Sequence, residues 1–368
     1  MPRYAPAVTA LADRLAARTL ELVDIPSQSG QEAAIREHVL ELVPSEWVSD
    51  FAGDEAFLFV SSRREGLPLI VLVAHYDTVP AQGNLPGRIA DGEVHGLGAS
   101  DMKGGLAVAL ELARHVDLGG AGCDLGLLLF GREELPAVHN PLPALFAASR
   151  LIHETTLAVV LEPTDLELQS GCLGNVIARL VFHGTSGHSA RPWLADSALE
   201  RAVRGLLPVF ELDPRVAVVG GLEFREVVSV TRLGAGIADN VIPGEATATL
   251  NLRYPPDREP AEAEDFLASL LPEDATLEIL SNAPPARVVT DAASVRALQA
   301  AGDLAVRPKQ AWTNVADFTA RGLDAVNFGP GHIALAHHPG ERVSVESLVR
   351  AYEILHRFLM HPIGEDAA

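Results

Sequence analysis

The stretch LIVLVAHYDTVP, Leu69–Pro80, decides the fold of this chain. Residues 69–74 form an uninterrupted apolar run rich in Val, Ile and Leu, which is typical of a strand covered on both faces of a parallel sheet. His75 comes where that strand ends, and Asp77 follows two residues later. Because ligands bind outside the carboxyl ends of strands in open α/β sheets, this titratable pair is a candidate for a functional site.

A second stretch, GLGASDMKGGLAVALEL at residues 96–112, places a single acid before a predicted helix. Apolar residues recur at helical spacing within this stretch and directly after it, at Leu106, Ala109, Leu110 and Ala113. Asp101 lies near the start of that helix, where an Asp is a common N-cap that contributes about 1 kcal/mol. A cap does not require the flanking glycines, Gly98 and Gly104-Gly105, which let backbones approach closely. A capping role and a functional role are both open at this point.

Further apolar runs also end in acids or histidines. Residues 125–130 lead to Gly131-Arg132-Glu133-Glu134, residues 157–161 lead to Glu162, and residues 325–328 lead to His337-His338. If these runs are neighbouring parallel strands, several carboxylates and two imidazoles meet at one edge of the sheet. Mutual repulsion would oppose that arrangement unless a cation neutralised it. Such a donor set suits zinc or a similar divalent ion, and an aspartate can bridge two of them.

Charge and composition exclude some classes of protein. The chain has 28 Lys and Arg against 49 Asp and Glu, a net charge of −21, and no basic run, which argues against nucleic acid and anionic membranes as partners. No apolar stretch reaches membrane-spanning length and the first residues lack a signal-peptide pattern, so we expect a cytoplasmic enzyme. Two cysteines, Cys123 and Cys172, do not make a disulfide framework.

The pattern of elements predicts an α/β protein with two domains. Strands and helices alternate up to Leu161, which indicates a doubly wound sheet, and a capping box is predicted at Ser29–Glu32. After Gly174 the order changes to βαββαβ, as in ferredoxin-like α+β domains. A Pro-rich segment, 282–285, looks like the return linker. We therefore expect residues 1–174 and 285–368 to form one catalytic domain into which residues 175–284 are inserted.

Seven motifs in this order carry a family resemblance. They are AHYDTVP, GLGASDMKGG, GREE, LEPTD, GTSGHSARPW, NVIPGEATATLNLRY and FGPG followed by LAHHPGERV. The chain thereby resembles the di-zinc aminoacylase and carboxypeptidase family, peptidase family M20, from about Leu20 to its last helix, and within it the succinyl-diaminopimelate desuccinylase branch. The resemblance implies a zinc-exopeptidase-like catalytic domain, an inserted lid that also makes the dimer contact, and hence a homodimer.

The resemblance also implies two divalent metal ions, Zn²⁺ or alternatively Co²⁺, and their ligands. Asp101 would bridge the two ions. The ligands of one ion are completed by His75 and Glu162, and those of the other by Glu134 and His337. His338 competes with His337 for its place. Asp77 would fix the tautomer of His75 through the ring's other nitrogen.

Further roles follow from the same resemblance. Glu133 would be the general base, taking a proton from the attacking water and returning it to the leaving amine. His188 would reach the partner subunit's active site and stabilise the oxyanion. The four residues that would bind the substrate are Arg253, Asn240, Arg191 and Thr313. Asn314 directly follows Thr313.

The expected activity is hydrolysis of N-succinyl-LL-2,6-diaminopimelate to succinate and LL-2,6-diaminopimelate, a step of lysine and diaminopimelate biosynthesis. A deacetylase acting on acetylornithine, or a dipeptidase or carboxypeptidase on the same scaffold, is the alternative enzyme. A metal-binding protein without catalysis is the alternative outside the enzymes. Glu133 beside Glu134 argues against that last alternative, because a pure binding site does not need a base. The partner is then a small N-acyl amino acid, with neither nucleic acid nor membrane.

Overall fold

The computed structural model describes residues 5–272 and 275–363. The ends of the expected catalytic domain, residues 1–4 and 364–368, and residues 273–274 of the expected insert lie outside the described residues. The helices are α1 (Ala5–Asp24), α2 (Ala33–Glu41), α3 (Gly104–His115), α4 (Leu142–Ala148), α5 (Ala198–Phe210), α6 (Pro260–Ser269), α7 (Ala293–Gly302), α8 (Val315–Thr319) and α9 (Val345–Met360). The strands are β1 (Val48–Ala52), β2 (Ala56–Val60), β3 (Leu69–His75), β4 (Arg88–Ala90), β5 (Glu93–His95), β6 (Asp124–Phe130), β7 (Thr155–Val160), β8 (Leu168–Cys172), β9 (Gly174–His183), β10 (Gly187–His188), β11 (Arg215–Val219), β12 (Leu222–Ala235), β13 (Val241–Ile242), β14 (Glu245–Tyr254), β15 (Ala275–Ala283), β16 (Val306–Lys309), β17 (Ala325–Asn327) and β18 (Arg342–Ser344).

The chain divides into two compact units. The first comprises Met1–Ser170, Val289–Arg307 and Asp317–Ala368, and the second comprises Gly171–Val288 and Pro308–Ala316. The chain therefore leaves the first unit, builds most of the second and returns to the first. Among the described residues, none of the helices combines the length and the apolar character needed to cross a membrane.

The main sheet has eight strands in the order β1-β2-β6-β3-β7-β17-β8-β16. At its centre β3 runs parallel to β6 and β7, and β17 runs parallel to β7. Every residue of β3 and β6 is buried, which explains their uninterrupted apolar sequences. The carboxyl ends of these four strands consequently lie at one edge of the sheet. The predicted α/β fold class, with its convergence of strand ends, is confirmed.

Helices cover the sheet through apolar side chains. Helix α1 packs against α3 and α9, and α3 packs directly on β3. Leu106 and Leu110 of α3 and Leu355 of α9 are fully buried in the same core as the sheet residues. A close approach is required at Gly105, where an added Cβ would lie 2.4 Å from the carbonyl oxygen of Leu161. The start of α3 is thus held directly against the end of β7.

One local prediction in this unit is wrong, and one open alternative is excluded. The capping box at Ser29–Glu32 does not form, because α2 begins at Ala33 and Glu32 is its N-cap without a side-chain cap. The carboxylate of Glu32 instead accepts a hydrogen bond from the amide of Gly30, and the Ser29 hydroxyl donates to Asp77. The open capping role of Asp101 is also excluded, since Lys103 is the N-cap of α3 and Asp101 has non-helical dihedral angles.

The second unit is an antiparallel sheet with helices. Its five strands have the order β11-β12-β14-β9-β15. Without β11 and the two-residue strands β10 and β13, which pair with each other, the sequence order β9-α5-β12-β14-α6-β15 is the predicted βαββαβ arrangement. Helices α5 and α6 pack on this sheet through buried residues such as Leu206 and Leu267. The edge strand β11 was not foreseen from the sequence.

The boundary of this unit differs from the expected 175–284. Pro308–Ala316 belongs to the second unit, whereas the sequence placed it in the catalytic domain. The amide of Leu173 donates to the carbonyl of Ala311, and the indole N–H of Trp312 donates to the carbonyl of Pro284. These hydrogen bonds join the segment Pro308–Ala316 to residues that precede it by a long stretch of sequence. The spacing of apolar residues in the sequence does not indicate such contacts.

Candidate metal centre

The carboxyl ends of three parallel strands supply side chains to one place. His75 is the last residue of β3, Glu133 and Glu134 follow the end of β6, and Glu162 follows β7 by two residues. Asp101 arrives from the irregular segment Ala99–Lys103 that precedes α3. All of these residues belong to the first unit.

One group of possible ligands surrounds the Nε2 atom of His75. This atom lies 3.4 Å from Oδ1 of Asp101 and 3.8 Å from Oε1 of Glu162. One ligand atom from each of these three residues lies within 4.8 Å of the other two, which is close enough to hold a common ion. The ring of His75 is buried, so its position is fixed by packing.

A second group surrounds the Nε2 atom of His337. This atom lies 2.8 Å from Oε1 of Glu134 and 3.5 Å from Oδ2 of Asp101. Asp101 therefore belongs to both groups and presents a different carboxylate oxygen to each. An aspartate in this position is suited to bridge two cations. His338 is in neither group, and its Nδ1 accepts a hydrogen bond from the amide of Gly340.

Asp77 lies on the opposite side of the His75 ring. The Nδ1 atom of His75 lies 3.1 Å from the backbone oxygen of Asp77 and 3.4 Å from Oδ1 of the same residue. In the tautomer with a proton on Nδ1, this N–H donates to the backbone oxygen. The Asp77 carboxylate also accepts hydrogen bonds from the amides of Glu133 and Glu134, at 3.1 and 3.2 Å, and from the hydroxyl of Ser29 at 2.6 Å. Asp77 thus holds the histidine and the Glu133-Glu134 turn together.

The surroundings of His75 fit a metal ion. With Nδ1 donating to Asp77, the lone pair of Nε2 points toward the acids, and this buried atom has no hydrogen-bond partner among the described residues. A buried polar atom without a partner is uncommon and requires an explanation. Imidazole and carboxylate ligands that converge at these distances are typical of zinc and similar divalent ions.

Electrostatics also favour a cation here. Burial by itself would lower the pKa of His75, but the carboxylates of Asp101 and Asp77 outweigh it, so the pKa lies well above its usual range. The hydrogen bond to Glu134 raises the pKa of His337 to about 9. The surrounding carboxylates therefore favour a positive charge on both imidazoles, and a divalent cation can supply positive charge at the same place.

Glu133 lies beside both groups. It forms a third cluster of possible ligand atoms with His75 and Glu134. Desolvation raises the pKa of the Glu133 carboxyl well above its usual range. A carboxyl whose pKa is raised by burial holds a proton more readily than an exposed one, which suits general acid and base chemistry.

The remaining predicted site residues lie in the second unit. His188, Arg191 and Asn240 are brought together, because the amide of Arg191 donates to the carbonyl of His188 and the amide of Ser189 donates to that of Asn240. The Nδ1 atom of His188 accepts a hydrogen bond from the amide of Ala190. The neutral ring therefore carries its proton on the exposed Nε2, which can donate.

Arg253 and Thr313 lie elsewhere in this unit. Arg253 is half-buried on β14, and its Nε donates to Oδ1 of Asn251 at 2.8 Å. Among the described residues no carboxylate pairs with it, and desolvation lowers its pKa. Thr313 and Asn314 are buried. Sequence reasoning missed the roles of Ser29 and of Glu341, a buried acid within the quoted LAHHPGERV motif.

Two groups of ligands that share one aspartate, with a further carboxylate beside them, define a metal-dependent hydrolytic site. The comparison with known proteins agrees. The sequence pattern of the family described as Peptidase family M20/M25/M40 matches residues 71–361. The chain belongs to this family and is a metal-dependent hydrolase, which confirms the predicted family and enzyme class.

Several relatives match nearly the whole chain. A putative succinyl-diaminopimelate desuccinylase of Mycobacterium tuberculosis is 35% identical over 348 residues, covering 93% of this chain and 96% of that protein. The succinyl-diaminopimelate desuccinylase of Corynebacterium glutamicum is 33% identical and covers 93% and 95%. The acetylornithine deacetylase of Myxococcus xanthus is 30% identical and covers 81% of each chain.

Solved structures share the fold. The aminopeptidase PepT of Bacillus cereus superposes with a TM-score of 0.75 at 18% identity, covering 95% of this chain and 98% of that one. The YXEP protein of Bacillus subtilis, described as a dinuclear metal-binding peptidase of the M20 family, has a TM-score of 0.64 at 16% identity, covering 96% and 98%.

Proposed function

We propose that this protein hydrolyses N-succinyl-LL-2,6-diaminopimelate to succinate and LL-2,6-diaminopimelate with two bound Zn²⁺ ions. The shared position of Asp101 between two ligand groups is the observation that carries the chemistry. Two desuccinylases, at 33–35% identity over more than nine-tenths of each chain, support the choice of substrate. Co²⁺ would suit the same ligands.

Each residue has a defined part in the proposed reaction. His75, Asp101 and Glu162 would hold one ion, and Asp101, Glu134 and His337 the other. When bound, such ions act as Lewis acids toward the amide carbonyl and make water nucleophilic near neutral pH. Glu133 takes the proton of the attacking water and returns it to the leaving amine nitrogen.

Residues of the second unit are proposed to recognise the substrate. A chain of net charge −21 repels an anionic substrate at long range, so its carboxylates require local cations. Arg253 fits this need, because it is desolvated and forms no ion pair with a described carboxylate. Asn240, Arg191 and Thr313 are the further proposed contacts. His188, with Nε2 available as a donor, would stabilise the oxyanion in the partner subunit's site.

We also propose a cytoplasmic homodimer. Helix α5 of the second unit exposes Leu199, Val203, Leu207 and Phe210, which are three or four residues apart and therefore form one apolar stripe. A second copy of the chain would cover this stripe. Both cysteines are buried and free, which is usual for proteins of a reducing compartment.

An acetylornithine deacetylase is the second candidate, supported by the Myxococcus xanthus relative. The deciding experiment compares the zinc-loaded protein on succinyl-diaminopimelate, N-acetylornithine and simple dipeptides. We expect kcat/KM to be on the order of a hundredfold higher for the succinyl substrate, because a site that pairs with a second carboxylate penalises ligands lacking it. Preference for N-acetylornithine would establish the alternative. Metal binding without turnover of any amide would indicate a non-catalytic protein.

A further inference from the structure

Glu341 is a buried acid whose hydrogen bonds go to the segment that carries Asp101. Its side chain is 1% exposed. Oε1 accepts hydrogen bonds from the backbone amides of Ser100 and Asp101, and Oε2 accepts one from the amide of Gly98, each at 3.0 Å. Burying a carboxylate costs free energy. A buried acid is therefore expected where the amides that it binds must be held in one place.

The bound segment needs such an acceptor because it is irregular. Gly98 has a left-handed conformation with φ of 79°, and Asp101 has φ of −125° and ψ of 93°. Amides in this conformation cannot all donate to helical carbonyl partners, and buried amides without acceptors are costly. The two oxygens of Glu341 provide acceptors for three of them.

The same residue also connects to the segment that carries His337. The amide of Glu341 donates to the carbonyl of His338, and the carbonyl of Glu341 accepts from the amide of Gly96. Glu341 therefore links two chain segments, more than two hundred residues apart in sequence, that supply Asp101 and His337. These two side chains lie 3.5 Å apart, between Nε2 of His337 and Oδ2 of Asp101.

We propose that Glu341 is a positioning residue for the metal centre. By fixing the backbone of Gly98, Ser100 and Asp101 before any ion binds, it holds the Asp101 carboxylate where both of its oxygens face imidazoles. This role rests on the proposed metal ligands. It adds a residue that touches neither a metal nor the substrate but sets the distance between the two ligand groups.

The test is the variant Glu341→Gln, which keeps the side-chain shape but replaces one acceptor oxygen with an N–H₂ group facing an amide donor. Glu111→Gln is the matched control, since Glu111 is equally buried in the same unit but pairs with Arg14 and Arg18. Zn²⁺ binding is measured by competition with a chromophoric chelator, and Co²⁺ binding by visible absorption. Melting of each metal-free variant is measured alongside.

For Glu341→Gln we expect the Zn²⁺ affinity to be at least about tenfold weaker than that of the wild type, because the loss of a residue that orients metal ligands typically has an effect of this size. We also expect an altered Co²⁺ spectrum. Glu111→Gln should leave both unchanged even if it melts earlier. Wild-type affinity and spectrum in a folded Glu341→Gln protein would overturn the proposal and reduce Glu341 to a structural residue.

A second measurement does not depend on the variant folding. In the metal-free wild-type protein, amide hydrogen exchange at Gly98, Ser100 and Asp101 should already be slow, because their acceptor is present without metal. Fast exchange that slows only when Zn²⁺ is added would overturn the proposal. A wild-type protein that binds no Zn²⁺ would instead show that the metal centre itself is wrong, and the role of Glu341 would fail with it.

Discussion

At the scale of single residues, Glu133 and Glu134 are adjacent acids with different surroundings. Glu134 contacts His337 at 2.8 Å and shares its ligand group with Asp101. Glu133 is absent from that group, and desolvation raises its pKa. The amides of both residues donate to Asp77, and these hydrogen bonds fix the turn that carries the two acids.

This difference predicts the outcome of Glu133→Gln. We expect kcat to fall by about 10²- to 10⁴-fold, the usual contribution of a positioned acid or base, while Zn²⁺ content stays at the wild-type level. Turnover is measured with the succinyl substrate and metal by elemental analysis. Glu134→Gln is the matched control and should lose metal as well as activity. A Glu133→Gln protein with normal turnover would remove the base assignment.

His337 makes metal affinity depend on pH. Its pKa is raised to about 9 by the hydrogen bond to Glu134, so in the metal-free protein the ring is protonated at neutral pH. Since a nitrogen must lose its proton before it can bind a metal, Zn²⁺ affinity should rise with pH up to about 9. Competition titrations between pH 6.5 and 9.5 would measure this rise, to which the proton displaced from His337 contributes on the order of tenfold per unit of pH.

The neighbouring histidine supplies the control for this prediction. His337→Ala should bind Zn²⁺ more weakly and with a flatter pH dependence, whereas His338→Ala should keep the wild-type profile, because its ring lies outside the ligand groups. The reverse result would make His338 the ligand.

At the scale of elements, the sequence predicted the centre of the sheet because β3 and β6 are apolar runs in which every residue is buried. The convergence of His75, Glu133 and Glu162 followed from the rule that parallel strands end at the same edge. The sequence could not show how Asp101 is held, because this depends on a hydrogen bond that its backbone amide donates to Glu341, far away in the chain. The mistaken capping box at Ser29 has the same cause, since its hydroxyl donates to Asp77 and does not accept a hydrogen bond from an amide of the next helix.

The contact between α3 and β7 predicts the effect of Gly105→Ala. The added Cβ would lie 2.4 Å from the carbonyl oxygen of Leu161, a backbone atom next to Glu162. We expect the free energy of unfolding to fall by about 1–3 kcal/mol, as for other overpacked sites, measured by denaturant titration of the metal-free protein. Gly119→Ala is the control, since its Cβ would meet only an oxygen of the Asp117 side chain at 3.2 Å. Equal stability of the two variants would contradict the close approach.

At the scale of the whole molecule, net charge opposes the formation of a dimer and exposed apolar surface favours it. Two chains of net charge −21 repel each other, although salt at physiological strength screens this repulsion beyond about 8 Å. A dimer therefore needs a continuous apolar contact. The stripe on α5 is the contact proposed here, with Val203 and Leu207 each 48% exposed and Phe210 63% exposed.

Placing charge in the middle of this stripe should dissociate the dimer. For the double variant Val203→Glu and Leu207→Glu we expect the mass in solution to fall from twice 39.0 kDa to 39.0 kDa, measured by light scattering after gel filtration. Desolvating two carboxylates without partners costs more than the stripe can recover.

A matched control separates this effect from added charge alone. Val48→Glu with Ile89→Glu also replaces two exposed apolar residues, at 55% and 48%, but in the first unit. That variant should keep the dimeric mass. If it dissociates equally, the interface does not depend on α5. A wild-type protein of 39.0 kDa in solution would exclude the homodimer.

If the α5 variant alone becomes monomeric, its turnover also tests the proposed reach of His188 into the partner subunit's site. Isolated chains would then lose kcat while retaining Zn²⁺.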